Sequence, residues 1–266
     1  MNDKKIELAL LKIISEMVEC PAGSFMMGSP KDELGRNIYG EGNDFETQHK
    51  VAITKPFWIG KFLITREQYE TIMEEEPISY YDKRVYNSPV NNKTYNEAKQ
   101  FCKKLNKLLK NISSASEYIP NDYHFDLPTE AQWEYACRAG TSTSLNSGKN
   151  ITTAADAECK NLNEVGWYGK NSDDTAHPVG QKKPNRWGIY DMHGNVNEWC
   201  NDWYGDDYDN DNLGQEGYIS NDPKGPKTGT LRVVKGGDYY NPPDYCRSAR
   251  RFGLDPTIND NSFLGF

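Results

Sequence analysis

The chain has 266 residues, a formal net charge of −8 at pH 7, a hydrophobic fraction of 36% and a mean hydropathy of −0.85. This length suits one large domain or two small ones, and the 22 Gly, 14 Pro and 17 Tyr indicate an irregular domain rather than a helical bundle. The negative charge disfavours non-specific binding to nucleic acid or to an anionic membrane surface. No stretch is apolar over the roughly 18–20 residues that a membrane helix needs.

The first 20 residues resemble a secretory signal only in part. Charged residues interrupt the apolar stretch, among them Glu7, Lys12 and Glu16, and the residues before Cys20 are not the small ones of a lipidation site. We therefore expect either a cytoplasmic protein or a cell-surface protein whose export signal lies outside this chain. The pattern predicts a helix over about residues 4–17. We divide the chain into an N-terminal helical extension, 1–16, and one domain, 17–266.

Three segments carry a capping box, in which a Thr side chain caps a helix and a Glu or Gln three residues later reaches back. They are residues 65–68, 94–97 and 129–132. Apolar residues with helical spacing follow the second and third boxes, and Gly140 is a natural stop for the third helix. Cys102 and Cys137 lie on the apolar faces of these helices, so we expect both to be small core residues.

The predicted strands are short and cover residues 24–27, 50–53, 57–62 and 231–235. Residues 141–230 are rich in Gly, Asn, Asp, Pro and Tyr and show little periodicity. This composition predicts long loops that buried aromatic residues, turns or bound ions hold in place. The sequence contains no internal repeat and no linker, so a single domain is favoured.

Common catalytic and metal-binding patterns are missing from the sequence. The six cysteines (20, 102, 137, 159, 200 and 246) form no CxxC pair, which argues against a zinc site and leaves their pairing open. The four histidines (49, 124, 177 and 193) show no HxH or HxxxH spacing. No nucleophile elbow, phosphate-binding loop or dinucleotide fingerprint occurs.

Six phrases stand in a specific order: MVECPAGSFMMGSP (17–30), PFWIGKFLITREQYE (56–70), FDLPTEAQWEYACRAGT (125–141), HPVGQKKPNRWGIYDMHGNVNEWCNDWY (177–204), RVVKGG (232–237) and CRSARR (246–251). Over about residues 17–266 this order resembles the formylglycine-generating enzyme (sulfatase-modifying factor) family. The resemblance implies an α+β protein with that family's form of the C-type lectin fold and a low content of regular secondary structure.

Within that family, residues 191–198 match a calcium site. The resemblance implies that the side chains of Asp191 and Glu198 and the backbone carbonyls of Gly194 and Val196 bind Ca²⁺. A hard cation prefers such oxygen ligands. The alternative is that the two acidic residues only cap a turn. Asn197 departs from the family, which commonly has Trp there, and we find no counterpart of a second calcium site.

The catalytic members of the family hold copper with two cysteines shortly after the RVxxGG phrase. This chain has only Cys246 in that region. Copper(I) prefers soft thiolate ligands, and one thiol among Tyr, Asn and Pro makes a poor site. We therefore expect no copper and no formylglycine generation.

The last 29 residues, 238–266, contain no Lys, Glu, Gln, Met or Trp, although about seven would be expected from the rest of the chain. None of these five types can arise from an Asn codon ending in C when only its two adenines are replaced. The family includes binding proteins whose C-terminal segment is rewritten by bacterial diversity-generating retroelements, which replace adenines of Asn codons. We therefore predict a variable segment at 238–263; ordinary drift in a structural loop is the alternative.

The leading hypothesis is a noncatalytic ligand-binding protein that displays a variable, Tyr-rich surface, because Tyr gives rigid contact area at low entropic cost. Its ligand would be a protein or another macromolecule. The predicted contacts are Asp238, Tyr239, Tyr240, Asn241, Asp244, Tyr245, Phe252, Leu254, Thr257, Ile258, Asn259 and Phe263. Arg247, Ala249 and Arg251 are predicted as framework. We expect a monomer without nucleic-acid partners or membrane insertion; the alternative function is a metal-dependent oxidase or another enzyme of the family.

Overall fold

The computed structural model describes residues 2–36, 45–75, 87–112, 119, 122–209, 213, 215, 217–258 and 263–266. Its helices are α1 (Asn2–Ser15), α2 (Arg66–Met73), α3 (Tyr95–Asn111), α4 (Glu130–Arg138) and the short α5 (Lys160–Asn163). Its strands are β1 (Met17–Cys20), β2 (Gly23–Met27), β3 (His49–Ile53), β4 (Phe57–Gly60), β5 (Asn197–Trp203), β6 (Ser220–Asn221), β7 (Arg232–Lys235), β8 (Phe252–Leu254) and β9 (Leu264–Gly265). No helix in the described part of the chain is long and apolar enough to cross a membrane.

The three predicted capping boxes are confirmed. At α2, the Thr65 hydroxyl accepts the Gln68 amide N–H at 3.2 Å, and the Gln68 side chain accepts the Thr65 amide N–H at 2.8 Å. The same reciprocal bonds start α3 at Thr94 and α4 at Thr129. The N-terminal helix is also present, although it begins and ends about two residues earlier than predicted.

The described strands form three small sheets, with the orders β1-β4, β2-β3-β6 and β8-β7-β5-β9. Strand β5 lies within residues 141–230, for which long loops were predicted, so that prediction is wrong for β5. Four of its seven residues are Asn, Glu or Asp, types that are depleted in strands. Its partners supply the structure instead: β7 pairs with it antiparallel and β9 parallel.

The core surrounds α4, where Trp133 and Cys137 are fully buried among residues of β2, β3, β5 and β7. Helices α1, α2 and α3 share a second apolar cluster that includes Leu10, Ile72 and Phe101. Cys102 is also buried, so the predicted core roles of Cys102 and Cys137 are confirmed. All six cysteines are buried free thiols.

Buried ion pairs fix the C-terminal part of the chain to this core. The Arg247 guanidinium contacts Glu46 at 2.9 Å and Glu33 at 2.7 Å. On β7, the Lys235 ammonium lies 3.0 Å from Glu134 of α4. Arg247, Ala249 and Arg251 are all buried, which confirms their prediction as framework.

Candidate functional site

Residues 191–198, called here the 191–198 turn, form a tight loop that leads into β5. Asp191, Gly194 and Asn195 all adopt positive φ, at 59°, 103° and 68°. A Cβ atom on Gly194 would lie 2.0 Å from the carbonyl oxygen of Trp167, so only glycine fits there. The loop therefore places Asp191 before the turn and Glu198 after it.

The two carboxyl groups of this turn lie in a poorly solvated environment. One Asp191 oxygen accepts the Gly180 amide N–H at 2.7 Å, whereas the other is buried and has no hydrogen-bond partner. Burial raises the pKa of Asp191 to about 6. Burial also raises the pKa of Glu198 to about 8; the neighbouring Asp191 carboxyl adds to this shift and the Trp133 indole partly offsets it. In the absence of a cation, burial therefore favours the neutral form of both carboxyl groups, and a nearby positive charge would favour their ionised form.

This donor set fits a calcium ion, the group that the sequence resemblance implies. The Asp191 and Glu198 carboxylates are hard oxygen donors, as Ca²⁺ requires. Within the described residues, no hydrogen bond ends on the carbonyl oxygen of Gly194 or Val196, so both remain available. No three His, Cys, Asp or Glu side chains of that same part converge as a metal site, but a cage completed by backbone carbonyls needs only two.

The C-terminal segment lies directly against the 191–198 turn. The Gly194 amide donates to the Gly236 carbonyl at 2.8 Å, and the Tyr239 amide donates to the Asn195 carbonyl at 3.0 Å. The Asn197 side chain donates to Asp238 at 2.5 Å. This role of Asn197 was not predicted from the sequence, and the only signal for it was that Asn stands where the family commonly has Trp.

Two predicted contact residues are buried, and this corrects the prediction of an exposed face that includes them. Asp238 is only 3% exposed and Tyr239 only 6%. The Asp238 carboxylate faces inward because it accepts hydrogen bonds from the Tyr240 amide and from Asn197. Burial raises the pKa of Asp238 to about 6. The Tyr239 ring packs on Phe263, with ring centroids 5.2 Å apart.

The other described members of the predicted contact set are at least partly exposed, and we call them the candidate face. They are Tyr240, Asn241, Asp244, Tyr245, Phe252, Leu254, Thr257, Ile258 and Phe263. Asn259 lies outside the described residues. Tyr240 has the most exposed ring, at 59%.

The structure forms two aromatic groups on the candidate face. Tyr240 lies 5.7 Å from Phe263, and Tyr245 lies 6.4 Å from Phe252, both between ring centroids. The Arg250 guanidinium lies over the Tyr245 ring at 4.1 Å. Phe252 also packs against the cluster around Trp199, as do Leu254 and Ile258, so these three side chains are part surface and part core.

Cys246 lies between these groups in sequence but not on the surface. Its thiol is fully buried in an apolar cluster with Cys159 and Tyr168. Burial raises the pKa of Cys246 well above its ordinary value, so the thiol stays protonated at neutral pH. The predicted absence of copper is not tested by the structure.

Comparison with known proteins defines the family. Residues 7–266 match the model of the sulfatase-modifying factor enzyme 1-like domain, and the chain belongs to this family. The formylglycine-generating enzyme of Streptomyces coelicolor is 34% identical over 154 residues, which are 53% of this chain and 45% of that enzyme. The chaperone protein LppX of Paenibacillus barcinonensis is 27% identical over 62% of this chain and 70% of LppX.

Several solved structures match almost the whole chain, among them the following two. Variable protein 1 of Treponema denticola superposes with a TM-score of 0.72 at 28% identity, covering 94% of this chain and 92% of that protein. PvdO of Pseudomonas aeruginosa superposes with a TM-score of 0.69 at 26% identity and the same coverage of both chains. The predicted class, an α+β protein with the C-type lectin fold of the formylglycine-generating enzyme type, is thereby confirmed.

Proposed function

We propose that this chain is a noncatalytic ligand-binding protein that presents the candidate face to a macromolecular ligand. The observation that carries the proposal is the division within residues 238–258. Arg247, Ala249 and Arg251 are fully or almost fully buried, whereas Tyr240, Asn241 and the residues after 251 on the candidate face reach solvent. This arrangement suits a protein in which the exposed residues vary while the buried residues that hold them in place stay the same.

Two further observations support this function. The overall likeness to variable protein 1 of Treponema denticola extends along 94% of the chain. Cys246 is fully buried, whereas a copper(I) site needs thiolate ligands that the ion can reach. The formylglycine-generating enzymes among the relatives favour the second candidate, a metal-dependent oxidase, but they share about half of this chain.

The proposal includes a calcium ion held by Asp191, Glu198 and the carbonyls of Gly194 and Val196. The ion would neutralise two buried carboxylates and so order the loops around the 191–198 turn. It takes no part in chemistry. Its role would be structural support of the candidate face.

Deep sequencing of this gene in a growing bacterial population tests the proposed variability. We expect substitutions confined to codons within 238–263, codons ending in C at the varied positions, and a nearby copy that carries Asn codons there. The codons for Arg247, Ala249 and Arg251 serve as the internal control and should not vary. A uniform segment with no nearby copy would sink the retroelement hypothesis.

A further inference from the structure

The buried carboxylate of Asp238 lies at the centre of the bonds that shape the most exposed part of the candidate face. One of its oxygens accepts the Tyr240 amide N–H at 2.7 Å, and the other accepts the Asn197 side-chain amide at 2.5 Å. Its own amide N–H donates to the Asn241 side chain at 3.2 Å. These bonds close a turn over 238–241 whose outward-facing side chain is Tyr240.

The same carboxylate connects this turn to the residues proposed to hold the cation. Asn197 stands between Val196 and Glu198 in the sequence, so any change in the backbone of those two residues moves its side-chain amide. Two parallel connections reinforce the link. The Tyr239 amide donates to Asn195 at 3.0 Å, and the His193 Nδ1 donates to the Cys246 carbonyl at 2.7 Å.

The direction of the His193 bond follows from its second nitrogen. Nε2 must accept, because the Asn146 amide N–H points at it from 2.9 Å. His193 is fully buried, and a ring whose Nε2 accepts a hydrogen bond carries its proton on Nδ1. Because both ring nitrogens are hydrogen-bonded, the His193 side chain holds the 191–198 turn at a fixed distance from Cys246, the first residue of the CRSARR phrase.

We propose that Asp238 is the positioning residue of the candidate face and that its bond to Asn197 couples Tyr240 to cation binding at the 191–198 turn. This inference rests on the proposed function and adds how ligand binding at the candidate face would be regulated. Because linkage is reciprocal, a cation that orders Asn197 favours the ligand-binding form of the 238–241 turn, and a ligand on Tyr240 strengthens cation binding. Asp238 thus belongs to the support of the face rather than to its contact surface.

Amide hydrogen exchange of the full chain, with calcium chloride or with chelator, tests this coupling without any ligand. Calcium binding itself is measured by isothermal titration. In the wild type, calcium should slow exchange across 236–246 by about fivefold or more, the low end of ordinary allosteric coupling. Asn197→Ala should still bind calcium but lose this response. The matched control Asn96→Ala, an exposed Asn on α3, should behave as the wild type.

The Asp238 variants separate positioning from folding. Asp238→Asn keeps an acceptor for the Tyr240 amide and should retain part of the calcium response, whereas Asp238→Ala should exchange fast at 239–241 in both conditions. If Asp238→Ala fails to fold, Asn197→Ala carries the test alone. Calcium binding without slower exchange at 236–246 would overturn the coupling, and so would the absence of calcium binding. The absence of calcium binding would also remove the ion from the proposed function, but neither result touches the ligand-binding face, whose variability the gene sequence tests separately.

Discussion

Arg251 and Glu130 form a bidentate ion pair inside the protein, with the guanidinium Nε and Nη2 at 2.6 and 3.0 Å from the two carboxylate oxygens. The pair joins the residue before β8 to the first turn of α4. Both side chains are almost completely buried. This bond therefore decides where the second half of the candidate face begins.

Breaking this pair should destabilise the protein strongly. Arg251→Ala leaves the Glu130 carboxylate buried without a partner, and we expect a loss of about 3–5 kcal/mol in the free energy of unfolding. Urea denaturation measures it. The control Lys170→Ala breaks the exposed pair with Asp156, whose atoms lie 2.7 Å apart, and should cost at most about 1 kcal/mol. Equal losses in the two variants would contradict the anchoring role.

The adjacent residues Tyr239 and Tyr240 should respond differently to truncation. Tyr239→Ala removes a buried ring that packs on Phe263 and should cost about 3 kcal/mol of stability. Tyr240→Ala removes an exposed ring and should change stability by about 0.5 kcal/mol or less. Thermal and urea unfolding of both variants check this. A large loss in Tyr240→Ala would show that position 240 supports the core and cannot be freely rewritten.

Asp202 should make stability depend on pH. Burial raises its pKa to about 7, Glu130 adds to the shift, and the Glu130 amide, Arg251 and Arg232 partly offset it. In the folded state Asp202 therefore keeps its proton up to about pH 7, whereas the unfolded chain releases it near pH 4. The stability that the folded state gains from this proton is complete below about pH 4 and is lost as the pH rises to about 7.

Asp202→Asn mimics the protonated form and keeps an acceptor for the Glu130 amide. At pH 8 it should be more stable than the wild type by on the order of 2 kcal/mol, and the advantage should shrink toward pH 4. Asp156→Asn, at an exposed carboxylate, is the control. A difference between Asp202→Asn and wild type that stays flat from pH 4 to 8 would show an ordinary pKa for Asp202.

Calcium should raise the melting temperature, because it would bind only the folded state. A calcium concentration 100 times the dissociation constant adds about 2.7 kcal/mol of stability. Asp191→Asn and Glu198→Gln should each remove the response, and Asp156→Asn should preserve it. Wild-type melting that is identical in calcium and in chelator would show that the 191–198 turn folds without a cation.

The chain should not convert the cysteine of a sulfatase peptide to formylglycine, with or without added copper. Mass spectrometry of the peptide detects the conversion, and the Streptomyces coelicolor enzyme is the positive control. Copper-dependent turnover would reverse the functional proposal. Persistence of that turnover in Cys246→Ala would place the chemistry away from the position that the resemblance suggests.

Local signals predicted the parts of the fold that local bonds create. The capping boxes at Thr65, Thr94 and Thr129 involve atoms three residues apart, so the sequence alone reveals them. Strand β5 could not be found in this way, since its polar residues form a strand only between β7 and β9. Family resemblance predicted the fold class, because the order of the phrases carries long-range information that periodicity does not.

The sequence predicted which segment forms the candidate face but not which of its side chains are buried. Whether residues 238 and 239 are exposed depends on their contacts with Asn197 and Phe263, which lie elsewhere in the sequence. The order of residue types within the segment does not reveal these contacts. Asp238 and Tyr239 were therefore placed on the surface. The framework residues were predicted correctly because the phrase CRSARR resembles a fixed part of the family.

The buried cations of residues 238–258 are all arginines, and if this segment is rewritten as proposed, the genetic code gives a reason for that choice. Every lysine codon contains at least two adenines, so mutagenesis directed at adenine would erase a lysine anchor. Four of the six arginine codons contain at most one adenine, in the third position, and three of these contain none. Ion pairs built on Arg247 and Arg251, whose acidic partners Glu46 and Glu130 lie outside the segment, would therefore survive a rewriting of the neighbouring codons. Selection would then favour arginine at these positions both for its ion pairs and for codons that adenine-directed mutagenesis leaves unchanged.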